Sequence, residues 1–429
     1  MKMLRSLIQA FKLPDLRKRM IFLFIGFTVF TLARHIPLPG INREAMEKLF
    51  GQGMLNLLDI FSGGALRRFS IVAMGIMPYI NASIIMQLLT IAWPQLQQLA
   101  KEGETGRRKI SQWTRYLTVG LAVFQALGLT SYLKGLGILE ATWPMQLKII
   151  LTLTAGTSFL MWLGEQITDK GIGNGVSLII FAGIMASMPQ EVWQTALLVA
   201  KEAVPLTGVG LLVLIFVGTI IGIIYVQQGE RKIPVQYAKR VVGNRMMGGS
   251  STYLPMKVNQ AGVIPIIFAI SVALFPATIV RFIPAAPDTW WGNIADWVNT
   301  NLQPGHGPFS LVFYFLLVVV FTYFYTAVTF DPAEVADNMK KWGGFVPGIR
   351  PGRPTQEYLD RVLVRITCAG SIFLGLVAVL QYLVPDLTGI TTFGLVGGTS
   401  LLIVVGVALE TMQQIEAHLL MRHYEGFIR

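Results

Sequence analysis

The chain has 429 residues, of which 53% are hydrophobic and 14% are charged, and its mean hydropathy is +0.58. This composition excludes an ordinary soluble domain and indicates a membrane protein that crosses the bilayer several times. The net charge of +12 would suit a nucleic-acid partner, but the basic cytoplasmic loops of a membrane protein give the same sign.

The N-terminal segment resembles a secretory signal peptide, because basic residues precede an apolar run from Met20 to Ala33. The basic residues are Lys2, Arg5, Lys12, Arg17, Lys18 and Arg19. No cleavage site of small residues follows the run, since Ala33 is succeeded by Arg34 and His35. The segment is therefore predicted to be an uncleaved first span with its N-terminus in the cytoplasm.

The stretch 54–66 is apolar but has only 13 residues, and a helix that crosses a bilayer core needs about 20. Backbone that enters hydrocarbon without spanning must be buried in protein or line a cavity, so this stretch is predicted to be a re-entrant stopper that ends at Gly63 and Gly64. The next span, predicted from Phe69 to Ala92, is expected to line a pore. It contains residues that suit a cavity better than lipid: Pro78, Asn81, Ser83 and Gln87.

Apolar windows predict ten spans, and this topology places most of the Lys and Arg residues on the cytoplasmic side, as the positive-inside rule requires. The predicted spans are 20–37, 70–92, 115–133, 147–165, 173–189, 207–227, 260–280, 309–330, 366–384 and 394–417. An even number of spans returns the C-terminus to the cytoplasm.

Two inner loops, about 228–258 after span six and about 331–365 after span eight, are much longer than topology requires. Branched and aromatic residues in the first loop favour a β-hairpin, namely Val235, Tyr237, Val241 and Val242. In the second loop, Arg350 lies in a turn rich in Pro and Gly. Together the loops are predicted to form a basic surface that docks a cytoplasmic partner.

Ionisable groups of the kind that a membrane-embedded enzyme needs are nearly absent from the predicted spans. The four histidines lie at span ends or in loops, and no catalytic, metal or cofactor site is predicted. The GIGNG run at 171–175 lacks the signals of a phosphate loop and is interpreted as a flexible entry into span five. Glu410 is the one candidate carboxylate for ion coupling, so a small-solute transporter is the second hypothesis and a scaffold without a pore is the third.

Motifs along essentially the whole chain occur in an order and at a spacing that resemble the SecY/Sec61 alpha family, the channel subunits of protein-conducting translocons. The motifs are FSGGALRRFSI, MGIMPYINASIIMQLLT, KEGETGRRKISQWTRY, MWLGEQITDKGIGNGVSLIIFAGI, YAKR, LPMKVNQAGVIP, FVPGIRPG and GGTSLLIVVGVALE. The resemblance implies an all-α polytopic membrane protein with ten transmembrane helices. They would form two inverted five-helix halves, 1–189 and 190–429, around a central pore with a lateral gate.

The resemblance also implies which residues close the pore. A ring of aliphatic side chains would form the waist, namely Ile80, Ile84, Val176, Ile180, Ile267 and Ile403. Such a ring excludes water and ions by dewetting. Ordinary helix packing is the alternative role for each of them. The stopper corresponds to the plug of the family, with the residues Leu57, Leu58, Asp59, Ile60, Phe61, Ser62, Gly63, Gly64, Ala65 and Leu66.

In the family, the lateral gate lies between spans two and three on one side and seven and eight on the other. Polar residues that could hold the gate shut are Asn81, Gln87, Thr90, Asn259 and Ser271. The loops after spans six and eight dock the ribosome or the SecA motor. This correspondence assigns docking contacts to Lys239, Arg240, Arg245, Arg350 and Arg353.

The resemblance therefore implies a gated conduit that translocates unfolded secretory polypeptides across the bacterial inner membrane and inserts membrane proteins into it. The implied partners are the SecE and SecG subunits, the SecA ATPase, the ribosome, the substrate polypeptide with its signal sequence, and the lipid bilayer. No cofactor is expected, and the chain is not expected to be an enzyme. Both termini would lie in the cytoplasm.

Overall fold

The computed structural model describes residues 11, 13–41, 46, 59, 62–139, 142–201, 204–237, 240–242, 245–247, 251–282, 289–302, 305, 307–390 and 398–425. Helices dominate this part of the chain. The helices are α1 (Pro14–Arg34), α2 (Met77–Ala92), α3 (Pro94–Lys101), α4 (Glu104–Gly135), α5 (Trp143–Lys170), α6 (Gly175–Ala200), α7 (Leu206–Gln228), α8 (Ile264–Phe282), α9 (Trp290–Asn301), α10 (Pro308–Thr329), α11 (Pro332–Lys341), α12 (Arg353–Thr388) and α13 (Gly398–Glu425). The strands are β1 (Glu230–Tyr237), β2 (Arg240–Val242), β3 (Arg245–Met247), β4 (Ser251–Lys257) and β5 (Gly344–Phe345).

Every predicted span overlaps one of these helices: α1, α2, α4 to α8, α10, α12 and α13. Over the described residues, seven helices are long and apolar enough to cross a membrane. The stretches Met77–Ala92 and Ile264–Pro276 are apolar but shorter, and α1 carries Arg17, Lys18 and Arg19 in its first turns. A helical protein with several membrane spans is thus confirmed, while the count of ten stays a prediction.

The predicted helical start of span two near residue 70 is wrong. Residues 71–76 form turns, and α2 begins only at Met77. Phe69 has φ 44 and Gly75 has φ 57, and such left-handed residues do not occur inside a right-handed helix. This segment is buried but not helical. The prediction failed because a hydropathy window detects apolar residues that tend to be buried and does not distinguish a helix from a turn.

The GIGNG run is also tighter than the predicted flexible entry. The Asn174 side chain caps α6 by accepting hydrogen bonds from the backbone N–H groups of Val176 at 3.1 Å and Ser177 at 3.2 Å. The Gly175 N–H donates to Thr168 Oγ1 at 2.8 Å, which ties the start of α6 to the end of α5. The turn between α5 and α6 is therefore held by side chains on both sides.

The long loops after predicted spans six and eight share one small sheet. The predicted hairpin is present, because β1 pairs with β4 in antiparallel register from Glu230 opposite Lys257 to Gln236 opposite Ser251. The second loop joins through β5, which pairs with the other edge of β1. A separate apolar cluster lies beneath the sheet and includes Ile233, Val235, Met256, Val346, Leu359 and Leu363. The loops thus form one folded unit, called here the loop sheet.

Helices from the first and second parts of the chain meet along two seams. On one seam α6 contacts α13, and on the other α8 contacts both α2 and α4. The largest apolar cluster contains residues of both seams. The second seam joins the helices that correspond to predicted spans two, three and seven, which is where the resemblance expects a lateral gate.

Candidate functional site

Four helices bring the predicted ring residues into the main apolar cluster. The residues are Ile80 and Ile84 on α2, Val176 and Ile180 on α6, Ile267 on α8 and Ile403 on α13. All but Val176 are buried, and Val176 packs half-buried against the same cluster. The helices that carry them come from distant parts of the sequence, so both seams contribute to one apolar centre. This arrangement is able to exclude water and ions.

The plug turn, defined as Asp59 with residues 62–66, is a compact hydrogen-bonded structure. The Asp59 carboxylate accepts the Arg67 N–H at 2.9 Å and the Ser62 hydroxyl at 3.4 Å. Ser62 Oγ in turn accepts the Leu66 N–H at 3.1 Å. These bonds give the end of the predicted plug a defined shape. Four predicted plug residues lie outside the described residues: Leu57, Leu58, Ile60 and Phe61.

Gly63 and Gly64 provide the reversal that the sequence predicted at this point. Their φ angles are +67° and +80°, a region in which L side chains are strained. Asp59 is buried here, and burial raises the pKa of its carboxyl, although the hydrogen bond from the Arg67 N–H acts in the opposite direction. The Asp59 carboxyl can be buried in the plug turn because a nearby backbone N–H group, that of Arg67, donates a hydrogen bond to it.

A short strap, formed by residues 36–38 and 69–71, ties the plug turn to the C-terminal end of α1. The Leu38 N–H donates to the Phe69 carbonyl at 2.9 Å, and the Ile71 N–H donates to the Ile36 carbonyl at 3.0 Å. Gly156 on α5 lies against the Ile71 backbone, where an added Cβ would be only 2.9 Å from the Ile71 carbonyl carbon. The strap is therefore packed between α1 and α5 at backbone distance.

The predicted gate residues are not joined by hydrogen bonds across the seam within the described structure. The Thr90 hydroxyl donates to the Met86 carbonyl in its own helix, and Asn259 Nδ2 donates to the nearby Gly262 carbonyl. The Asn259 Oδ1 and Ser271 Oγ atoms are buried without a hydrogen-bond partner. Asn81 and Gln87 are half-buried on α2. The seam is therefore held by apolar packing more than by polar pairing.

The predicted docking residues lie on or near the loop sheet. Arg240 and Arg245 belong to the paired strands β2 and β3, whereas Lys239 lies outside the described residues. Arg350 is exposed in a tight turn, and the Thr355 hydroxyl donates to its carbonyl at 2.8 Å. Arg353 forms an exposed ion pair with Glu357 at 3.3 Å, which is weak because water screens it.

A polar cavity of about 290 Å³ lies between the ring residues and the loop sheet, and sequence reasoning missed it. Its lining begins one turn from the ring on three helices, with Ser177, Ile264 and Gly406, and reaches Lys257 at the end of β4. Amide side chains contribute most of its polarity: Asn174, Gln227, Asn259, Gln260 and Gln413. Glu410, which the sequence offered as the candidate carboxylate for ion coupling, also lines this cavity.

The geometry thus stacks a plug turn, an apolar centre and a polar cavity. Among the described residues, no group of three or more His, Cys, Asp or Glu side chains could hold a metal ion. Arg34 is a further buried group that the sequence did not single out, and its guanidinium donates to the Gly63 carbonyl. A basic residue at the end of an apolar run gave no signal of that contact.

Solved structures of protein-conducting channels share this fold. One, described as a protein conducting channel, matches with a TM-score of 0.65 at 18% identity, over 94% of this chain and 92% of the other. Sec61 in the canine ribosome-channel complex from the endoplasmic reticulum matches with a TM-score of 0.61 at 17% identity, over the same shares. Both identities are low, so these likenesses concern the fold.

Sequence relatives are much closer. The chain is 48% identical to the protein translocase subunit SecY of Halalkalibacterium halodurans and 45% identical to that of Streptomyces scabiei, over the full length of both chains in each case. It is 45% identical to the same subunit of Thermotoga maritima, over 98% of this chain and 96% of the relative. The SecY family model matches residues 70–412. The chain therefore belongs to the SecY family of protein translocase subunits.

Proposed function

We propose that the chain is a gated channel through which unfolded polypeptides cross the bacterial inner membrane and from which membrane segments enter lipid. The observation that supports the proposal is that Ile80, Ile180, Ile267 and Ile403, which come from four helices, belong to one buried apolar cluster. The plug turn lies in contact with two of the helices around it, α1 and α6. The chain itself is a channel subunit and not an enzyme.

The stacking of plug, ring and cavity gives each part a physical role. The amide-lined cavity hydrates and accepts an entering chain without requiring a particular sequence. The apolar ring then fits around the chain and keeps ions out, because it offers no fixed hydrogen-bond donors or acceptors. The plug turn closes the ring when no chain is present.

The orientation follows from charge. The loop sheet carries exposed Arg231, Lys232 and Arg350, and the positive-inside rule places such loops in the cytoplasm. Both termini then lie on the cytoplasmic side as well. The polar cavity faces the cytoplasm, and the plug turn faces the opposite side.

The partners follow from the exposed loop sheet and from the family. We assign SecE and SecG as companion subunits and SecA or the ribosome as the source of driving force. The exposed Arg350 turn is the proposed contact with the motor, since the planar guanidinium suits both carboxylate and phosphate groups. The channel also binds the signal sequence at the seam of α2, α4 and α8.

Reconstitution tests the function directly. Purified chain with SecE, SecG, SecA and a precursor protein in liposomes should protect the precursor from added protease when ATP is present and not when it is withheld. The rival hypothesis of an ion-coupled solute transporter uses Glu410 in the cavity. If the precursor stays accessible to protease while an ion gradient drives solute uptake, the channel proposal fails and the transporter is supported.

A further inference from the structure

Arg34 is a buried charge whose contact the channel function does not explain. It lies in the last turn of α1 and is 5% exposed. An ionised side chain within a membrane protein is costly, so its partner usually has a function. Here the guanidinium Nη1 donates to the carbonyl of Gly63 in the plug turn. The charge is thus directed at the backbone of the plug and not at a neighbouring span.

Gly63 also has a close contact with a second helix, α6. Gly63 packs against Gly183 on α6, and a Cβ added to Gly63 would lie 2.5 Å from the Gly183 Cα. A Cβ added to Gly183 would lie 3.1 Å from the Gly63 Cα and 3.7 Å from the Phe30 ring. The two backbones therefore touch, and a side chain on either glycine would separate them.

We propose that Arg34 and Gly183 form a latch that holds the plug turn in the closed position through its backbone. The proposal rests on the channel function and identifies the residues that regulate it. The direct contacts of the latch are to backbone atoms of Gly63, namely its carbonyl oxygen and its Cα. Asp59 attracts the Arg34 guanidinium and Arg68 repels it, so the plug segment supplies charges of both signs around the latch.

The latch has a defined released state. When the plug turn moves away, Arg34 loses the Gly63 carbonyl, and water that enters the open pore solvates the guanidinium instead. Since α1 and α6 each hold one side of Gly63, any movement that separates these two helices opens the latch. Arg34 is therefore a positioning residue for the plug.

The chain offers a matched control for removing this contact. Arg19 near the start of α1 donates to the Gly171 carbonyl at 3.1 Å, which is also a bond from an arginine to a glycine carbonyl but lies at the opposite end of the helix. Variants Arg34→Met, Arg34→Lys and Arg19→Met are reconstituted with the partner subunits in liposomes. Ion leak is measured without precursor, and ATP-driven precursor protection is measured in the same preparation.

Arg34→Met should raise the resting ion leak about ten-fold, which corresponds to about 1.4 kcal/mol in the equilibrium between closed and open channels. Arg34→Lys should restore most of the seal, because one ammonium donor can still reach the carbonyl. Arg19→Met should leave the leak unchanged. All three variants should still transport precursor. If the unaltered chain transports no precursor, the channel function is refuted. If the unaltered chain transports precursor but Arg34→Met leaves the ion leak unchanged, only the latch is refuted.

A plug-deleted background separates a latch from a general packing defect. In a chain that lacks residues 59–66, Arg34→Met should add no further leak, because nothing remains to be held. An additional leak in that background would overturn the proposal. If Arg34→Met does not accumulate, Gly183→Ala provides the same test, with Gly210→Ala as its control because no atom lies within 4 Å of a Cβ there. A Gly183→Ala channel as tight as the control would also refute the latch.

Discussion

Substitution of Gly156 by alanine should separate the strap from α5. An alanine Cβ at this position would lie 2.9 Å from the Ile71 carbonyl carbon and closer still to its oxygen. Ordinary van der Waals contact begins at 3.4 Å, so the distance from the alanine Cβ to the Ile71 carbonyl carbon must increase by at least 0.5 Å. The Ile71 carbonyl belongs to the backbone and cannot rotate away as a side chain could. Overpacking of this kind costs about 1–3 kcal/mol.

Gly120 on α4 is the matched control, since no atom lies within 4 Å of a Cβ there. Alanine at a helical site without a clash is favoured over glycine by about 0.5–1 kcal/mol. We expect Gly156→Ala to lower the apparent Tm of the purified protein by several degrees and Gly120→Ala to leave it unchanged or raise it. The measurement is the loss of the monodisperse gel-filtration peak after heating at a fixed rate. Equal thermal stability of the two variants would refute the packing argument.

Three further predictions concern the plug, the loop sheet and α9. Deletion of residues 59–66 should make resting vesicles leak ions, and tight vesicles would show that this segment is not the seal. Arg350→Glu should abolish SecA-driven precursor transport but not membrane insertion. Arg108→Glu reverses an exposed charge outside the loop sheet and should affect neither process. Equal effects of the two variants on transport would exclude a specific role of Arg350 in coupling to SecA. On α9, Trp290 and Trp297 are exposed on the face opposite buried Ala295. A spin label at Trp297 in a Cys368→Ser chain should therefore collide with oxygen dissolved in lipid more than a label at Asp296, an exposed position about 100° around the helix. Equal collision rates at the two positions would place the exposed face of α9 outside the membrane.

The positions of most spans were predictable because a long apolar run in a helix has few alternatives. Helix α7 (Leu206–Gln228) and helix α10 (Pro308–Thr329) lie within a few residues of their predicted bounds. Residues 71–76 were not predictable in the same way, since they are buried in turns and apolarity does not distinguish a buried turn from a helix. The local signals of a break before α2 were Gly75 and Pro78, which lies in the first turn of that helix.

The loop sheet shows a similar limit. Branched and aromatic residues predicted the hairpin, because such side chains are enriched in strands. The third strand could not be predicted, since β5 has two residues and pairs with β1 from more than 100 positions away. The latch was equally hidden, because Arg34 binds a backbone carbonyl, and a carbonyl is present at every position.

Several buried polar atoms have no hydrogen-bond partner within the described structure. Asn259 Oδ1, Ser271 Oγ and Arg34 Nε are buried without hydrogen-bond partners. A buried unsatisfied polar atom costs about 1–3 kcal/mol, and water or a bound peptide removes that cost. Asn259 precedes α8 and Ser271 lies on it, so we expect a ligand that enters beside α8 to gain hydrogen bonds to these two atoms. A ligand shifts a conformational equilibrium only by its difference in affinity for the two states. Two polar atoms that are unpaired in one state are able to supply such a difference, whereas two atoms already paired would supply none.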